Sequence, residues 1–231
     1  MKKITKIILV LLVVVLLSGC VDKTTDAYKF KEEYESINNE KNENNGKKYR
    51  ELSIPSDNPI VYATAKDIVE KIDNKETFIV YFGFKECPWC RSIITELLNV
   101  AKAKEVDKIY YVDVKDIRDV KEVDDDGNIK TTKKGDKYYL ELVEKLGDVL
   151  SEYTLTKDEE TIEVGEKRIY APNVVAVSNG KAIQMETGIS DELTDPYGKL
   201  TKKVKKYAYN KFKCLVECLE EEATTCKKDM C

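Results

Sequence analysis

The chain of 231 residues carries 39 Lys and Arg against 43 Asp and Glu, a net charge of −4, and no histidine. Without imidazole, Cys-His proteases, Ser-His-Asp hydrolases and His-ligated metal sites are excluded. An acidic balance also lacks the cationic surplus that neutralises phosphates, which argues against nucleic acid as a partner.

Lys2, Lys3 and Lys6 precede an unbroken apolar run from Ile7 to Leu17. That run is shorter than the roughly 20 residues a bilayer-spanning helix needs. A basic start, a short apolar core and small residues at the cut describe a signal peptide over residues 1–19. The ending Leu17-Ser18-Gly19-Cys20 resembles the lipobox of bacterial lipoproteins, which makes Cys20 the expected lipidation site. The alternative is an ordinary secretory signal with a chance cysteine. Acyl chains would hold the chain on the extracytoplasmic face of the cell membrane without a spanning helix. Removing residues 1–19 takes away three lysines and leaves 36 basic against 43 acidic residues. The remainder, about 210 residues, suits one elaborated domain. Outside the cytosol, cysteines read as disulfides or redox groups.

Residues 20–52 read as a lipid-anchored tether. Ala27, Phe30, Tyr34 and Ile37 have helical spacing, which allows a short amphipathic helix, but "NNEKNENNGKK" is polar and breaker-rich. The folded domain is expected over residues 53–200. "NPIVYAT" reads as a short strand. Thr64 and Asp67 form a capping-box-like start for a helix in "AKDIVEKIDN". "TFIVYFGF" has the continuous apolar pattern of a strand buried on both faces. "CPWCRSIITELLNVAKAKE" is a helix with Ile93, Ile94, Leu97, Leu98 and Ala101 on one stripe, and "KIYYVDV" is the next strand. This order implies a parallel core with right-handed crossovers.

Residues 115–170 depart from that rhythm. "KEVDDDGNIKTT" reads as a hairpin turning on Asp126-Gly127, "DKYYLELVEKLGDVLSEY" as a helix, and "IEVGEKRIY" as a further turn. The aspartates lack the alternating spacing of a calcium loop. "VVAVSNGKAIQMETG" gives two strands joined by Asn179-Gly180. Residues 201–231 are read as a charged amphipathic helix and a Cys-rich tail.

The chemistry concentrates in Cys87-Pro88-Trp89-Cys90. The first Cys falls where a buried strand turns into a helix, with Pro88 in the first turn. Unpaired backbone N–H groups and the helix dipole stabilise a thiolate there, and Cys90 lies on the same turn. The reading is a redox dithiol; a structural disulfide and half of a metal site are the alternatives. Glu86 should raise the Cys87 pKa, and Lys85 and Arg91 are the candidates to offset it.

With these residues in view, the chain resembles the thioredoxin superfamily, and within it the thioredoxin-like lipoproteins of low-GC Gram-positive bacteria, some labelled bacteriocin-transport accessory proteins. "IVYATAKDIVEKIDNKETFIVYFGFKECPWC" resembles the family's first half and "YAPNVVAVSNGKAIQMETG" its second. The resemblance implies an α/β thioredoxin-like fold, a central mixed β-sheet flanked by helices, with residues 115–170 inserted before the cis-proline strand. It implies Cys87 and Cys90 as catalytic, and Pro172, preceded by Ala171, as a cis proline facing them. Pro88, Trp89, Ala171 and Pro172 become the substrate-binding set. The implied activity is thiol-disulfide exchange without a cofactor or metal. Its partners would be protein thiols and disulfides and a membrane electron-transfer protein. A binding or accessory lipoprotein in peptide export, recognising its partner through residues 115–170, is the rival reading. The chain departs from the family at Tyr81, six residues before Cys87, where many thioredoxins carry a buried acid. Proton handling for Cys90 then falls to water or another group.

Cys214, Cys218, Cys226 and Cys231 are candidates for structural disulfides, and four cysteines allow three connectivities. A folded-back tail would suit the nested pairs 214–231 and 218–226. A second redox pair and a metal site are the alternatives.

Overall fold

A computed structural model describes residues 22–220; the expected signal peptide, Cys20, Cys226 and Cys231 lie outside the described residues. The fold is built on a five-stranded mixed sheet of β1 (Ile60–Tyr62), β2 (Phe78–Gly83), β3 (Ile109–Asp113), β8 (Asn173–Ser178) and β9 (Lys181–Glu186). Their spatial order is β1-β3-β2-β8-β9. β3 runs parallel to both β1 and β2, whereas β8 is antiparallel to β2 and to β9. The β8–β9 hairpin turns on Asn179-Gly180, both with positive φ, as the Asn-Gly signal required.

All six residues of β2 are buried, because successive side chains enter opposite layers. Ile79 and Tyr81 face α1 (Asp26–Glu35), α3 (Pro88–Ala103) and α5 (Lys202–Glu220), through Phe30, Tyr34, Ile93, Leu97, Phe212 and Leu215. Phe78, Val80 and Phe82 face α2 (Ala65–Asp73) and α4 (Lys137–Lys145), through Ile68, Val69, Tyr139 and Leu142. The α2 capping box is present: Asp67 N–H donates to Thr64 Oγ1 at 3.2 Å and Thr64 N–H donates to Asp67 Oδ2 at 2.7 Å.

The structure corrects two readings. The expected tether is part of the domain over its described length. α1 buries Phe30 and Tyr34 completely, and Tyr49, Leu52 and Ile54 are buried after it. The polar run between them satisfies its own backbone: Asn38 bonds both the N–H and the carbonyl of Leu52, and Gly46 N–H donates to Asn42 O at 2.7 Å. Composition alone missed this, because five apolar anchors outweigh the polar residues spaced among them.

The second correction lies in the insertion. The hairpin of β4 (Val120–Val123) and β5 (Ile129–Lys133) forms as expected, with Gly127 at φ +85° in its turn. The helix over 136–153 stops earlier, at Lys145. Its remainder becomes β6 (Ser151–Lys157), paired with β7 (Glu160–Arg168), where a mere turn was expected. The β6–β7 turn uses Asp158 and Glu159, both at positive φ. Neither residue carries the glycine signal of such a turn.

Candidate dithiol site

β2 runs out of the sheet at Gly83, and α3 starts five residues on at Pro88, with Cys87 as its N-cap. Proline fits the first helical position because its missing N–H would lack an intrahelical partner there. Cys87 and Cys90 are free thiols. Cys90 N–H donates to Cys87 Sγ at 3.4 Å, and Cys87 Sγ donates to the Ala171 carbonyl at 3.2 Å. The Ala171–Pro172 peptide is cis. The two halves of the chain that carry the motif and the proline therefore meet at one sulfur.

Burial differs sharply from the expectation of a reachable nucleophile: Cys87 is 4% exposed and Cys90 not at all. Trp89, Phe84 and Ala171 are half-buried around them. Beside the pair opens a cleft of about 390 Å³, walled by Trp89, Ala171, Pro172 and Asn173 and by Glu152 and Thr154 of β6. Three of the four expected substrate-binding residues line it; Pro88 instead sits on the helix, its carbonyl accepting from Ser92 Oγ at 3.0 Å. Sequence reasoning missed the β6 wall, since that strand was read as helix. It also missed Asn173, whose buried side-chain amide has no hydrogen-bond partner in the protein.

The two thiols are pushed in opposite directions. The hydrogen bond with the Cys90 side chain, the N–H groups of Cys90 and Trp89, and the positive Arg118 hold Cys87 below the ordinary thiol range, against its burial. Burial first, and then the sulfur of Cys87, push Cys90 well above it. The expected contest among Glu86, Lys85 and Arg91 is settled elsewhere. Glu86 pairs with Lys115 at 3.0 Å, and Lys85 donates to Ser36 Oγ at 3.2 Å. Arg91, 1% exposed, spends its guanidinium on the N-terminal segment, donating to Tyr34 O at 2.7 Å, Asn38 Oδ1 at 2.8 Å and Arg50 O at 3.0 Å. The cation that acts on Cys87 is Arg118, which lies over the Phe84 ring and has no acidic partner among the described residues.

Compared with known proteins, the chain matches no family model and no curated sequence. The site is therefore read from its own geometry. Cys214 and Cys218 are disulfide-bonded on the face of α5 turned to the core; the expected nested pairing falls on Cys226 and Cys231, outside the described residues. No helix among the described residues is long and apolar enough to cross a membrane, and no cluster of three or more potential metal ligands occurs among them.

Proposed function

We propose that the chain is a thiol-disulfide oxidoreductase of thioredoxin-like fold, lipid-anchored through Cys20 on the extracytoplasmic face of the membrane. The observation that carries the reading is the division of labour between two adjacent free thiols. Cys87, at a helix N-terminus, favours the thiolate; Cys90, beneath it, favours the thiol. The thiolate is the species that attacks a disulfide.

In the reductive direction, Cys87 thiolate attacks one sulfur of a substrate disulfide. A Cys87–substrate bond forms and the other substrate sulfur leaves as a thiolate. Cys90 loses its proton and attacks Cys87 Sγ. The Cys87–Cys90 bond forms, the second substrate sulfur is released, and two electrons have passed to the substrate. Ala171 O, 3.2 Å from Cys87 Sγ, belongs to backbone able to hold a substrate segment beside the sulfur. The cleft between Trp89 and β6 takes the residues flanking the cysteine. Reoxidised Cys87–Cys90 calls for an electron donor, and a membrane-borne dithiol is the class of partner that fits an anchored enzyme.

The test is a Cys90→Ser variant on whole cells. The expected result is a mixed disulfide of Cys87 with a partner protein, absent in Cys87→Ser. A wild-type pair that neither exchanges with a protein disulfide nor captures a partner overturns the reading. That outcome would favour the accessory role, for which the exposed β4–β5 hairpin is the available recognition surface.

A further inference from the structure

Cys90 must shed a proton to resolve a mixed disulfide, yet it is fully buried. Its sulfur is hydrogen-bonded to the hydroxyl of Tyr81. Tyr81 Oη lies 2.9 Å from Tyr34 Oη, Tyr34 and Tyr111 are hydrogen-bond partners, and Tyr111 Oη donates to Glu33 Oε1 at 3.1 Å. The three tyrosines are 0% exposed, whereas Glu33 is half-buried and open to solvent. We propose that Tyr81, Tyr34, Tyr111 and Glu33 form a proton conduit from the Cys90 sulfur to the surface. This inference rests on the dithiol reading above.

Packing alone does not require these hydroxyls. Phe30 sits in the same aromatic cluster, edge-on to Tyr111 at 5.0 Å between centroids, and needs none. A buried hydroxyl is costly unless it is bonded, and three consecutive ones bonded into a file that ends on a carboxylate constitute a path. Gly83 makes room for it: a Cβ there would collide with the Tyr81 ring end and hydroxyl. Register supplies the rest, since Tyr81 of β2 pairs with Tyr111 of β3 and their rings stack at 5.5 Å.

Each hydroxyl accepts one proton and donates one. The Cys90 proton passes to Tyr81 Oη as the Tyr81 proton moves to Tyr34, the Tyr34 proton to Tyr111, and the Tyr111 proton to Glu33. The net change is a Cys90 thiolate and a protonated Glu33, which releases its proton to water. The thiolate then attacks Cys87 Sγ, and the departing substrate thiolate takes a proton from solvent. Cys87 and the Tyr81 and Tyr34 hydroxyls are the titratable groups acting on Cys90. Tyr62, which also donates to Glu33, and Asp113 surround the outer end.

The experiment is a single turnover of reduced protein with the chromogenic aromatic disulfide 5,5′-dithiobis(2-nitrobenzoate). Attack by Cys87 releases one coloured thiolate, and resolution by Cys90 releases a second. Tyr81→Phe should leave the first phase intact and slow the second by about a hundredfold, the low end of what a positioned proton acceptor contributes. Glu33→Gln should slow it by at least about tenfold. Both deficits should narrow as the pH rises, because a thiol already ionised needs no conduit. Tyr139→Phe, a buried tyrosine on the opposite face of the sheet, is the packing control. Should Tyr81→Phe fail to fold, the half-exposed Glu33→Gln carries the test. Second phases less than tenfold slower in every foldable variant, or deficits independent of pH, overturn the conduit and leave the dithiol standing. A wild-type protein with no first phase sinks the dithiol reading itself.

Discussion

The N-terminal segment and the insertion are both polar stretches appended to the same sheet, and they have opposite fates. Residues 26–54 place Phe30, Tyr34, Leu52 and Ile54 in the core, and Arg91 of the dithiol helix binds their backbone at three carbonyls and one amide oxygen or fewer than a residue's length from it. Residues 115–170 are buried only at their roots, where Asp119, Tyr139, Leu142 and Arg168 meet the domain, while β5 is exposed along its whole length. Average polarity does not separate them. What separates them is apolar anchors at helical spacing in the first, against strand alternation with one buried side at most in the second. The site draws on both: Tyr34 comes from the first segment and Arg118 from the second.

The sharpest way to break this contrast is to remove an anchor. Phe30→Ala strips a fully buried ring from the Tyr34–Tyr111 cluster and should cost about 3–5 kcal/mol. Urea unfolding measures it. A loss under about 1 kcal/mol would return α1 to the status of a tether.

The root of the insertion should be nearly as sensitive. Arg168 donates to Asp119 Oδ1 at 3.0 Å and Asp119 O at 2.9 Å, with both side chains about one-tenth exposed, and it lies 3.9 Å from the Tyr153 ring centroid. Asp119→Asn leaves the guanidinium buried without a counter-charge. The expected loss is about 2 kcal/mol, below the 3–5 of a fully broken buried pair because the backbone acceptor and the ring remain. Thermal unfolding of the variant, with Arg168→Lys alongside, gives the comparison.

Arg118 tests what the insertion contributes to chemistry. In wild type, alkylation of Cys87 should rise with pH through a midpoint below the ordinary thiol value of about 8.5. Arg118→Met should move that midpoint up. The signs for stability follow from the same directions. The Cys87 contribution, from a depressed pKa, is present above the unfolded thiol value and fades as pH falls through the folded one. The Cys90 contribution, from a raised pKa, is present below the unfolded value and fades as pH rises through the folded one. An Arg118→Met midpoint identical to wild type would reduce Arg118 to a structural residue.

Much of this was legible in local pattern. The strands of the sheet, the Thr64–Asp67 capping box, the Asn179–Gly180 turn and the Cys87–Cys90 helix start each carry their signal within a few residues. The illegible parts depend on partners far along the chain. Arg118 lies over Phe84, 34 positions before it, and nothing in its neighbourhood marks it as the cation acting on Cys87. Tyr34 meets Tyr81 across 47 positions, and a tyrosine in a polar segment carries no local sign of burial. The β6–β7 hairpin escaped because Asp158 and Glu159 supply a left-handed turn without glycine, and because Leu150 and Tyr153 also fit a helical period.

The smallest effect is expected at the tip of the insertion. Ile129 is 38% exposed on β5, on a hairpin tied back to the domain through Lys157, whose ammonium donates to Asp124 O, and through Lys121 N–H, which donates to Tyr153 Oη at 3.2 Å. Neither tether involves the Ile129 side chain. Ile129→Ser should therefore change stability by no more than about 0.5 kcal/mol and leave the Cys87 alkylation profile where it is. A surface that tolerates substitution without loss of fold is free to be shaped by a partner. If Ile129→Ser leaves stability and exchange with the small aromatic disulfide intact but abolishes capture of a protein partner by the Cys90→Ser variant, the exposed half of the insertion selects the partner and the buried half serves the sulfur. Unaltered capture would confine recognition to the cleft between Trp89 and β6.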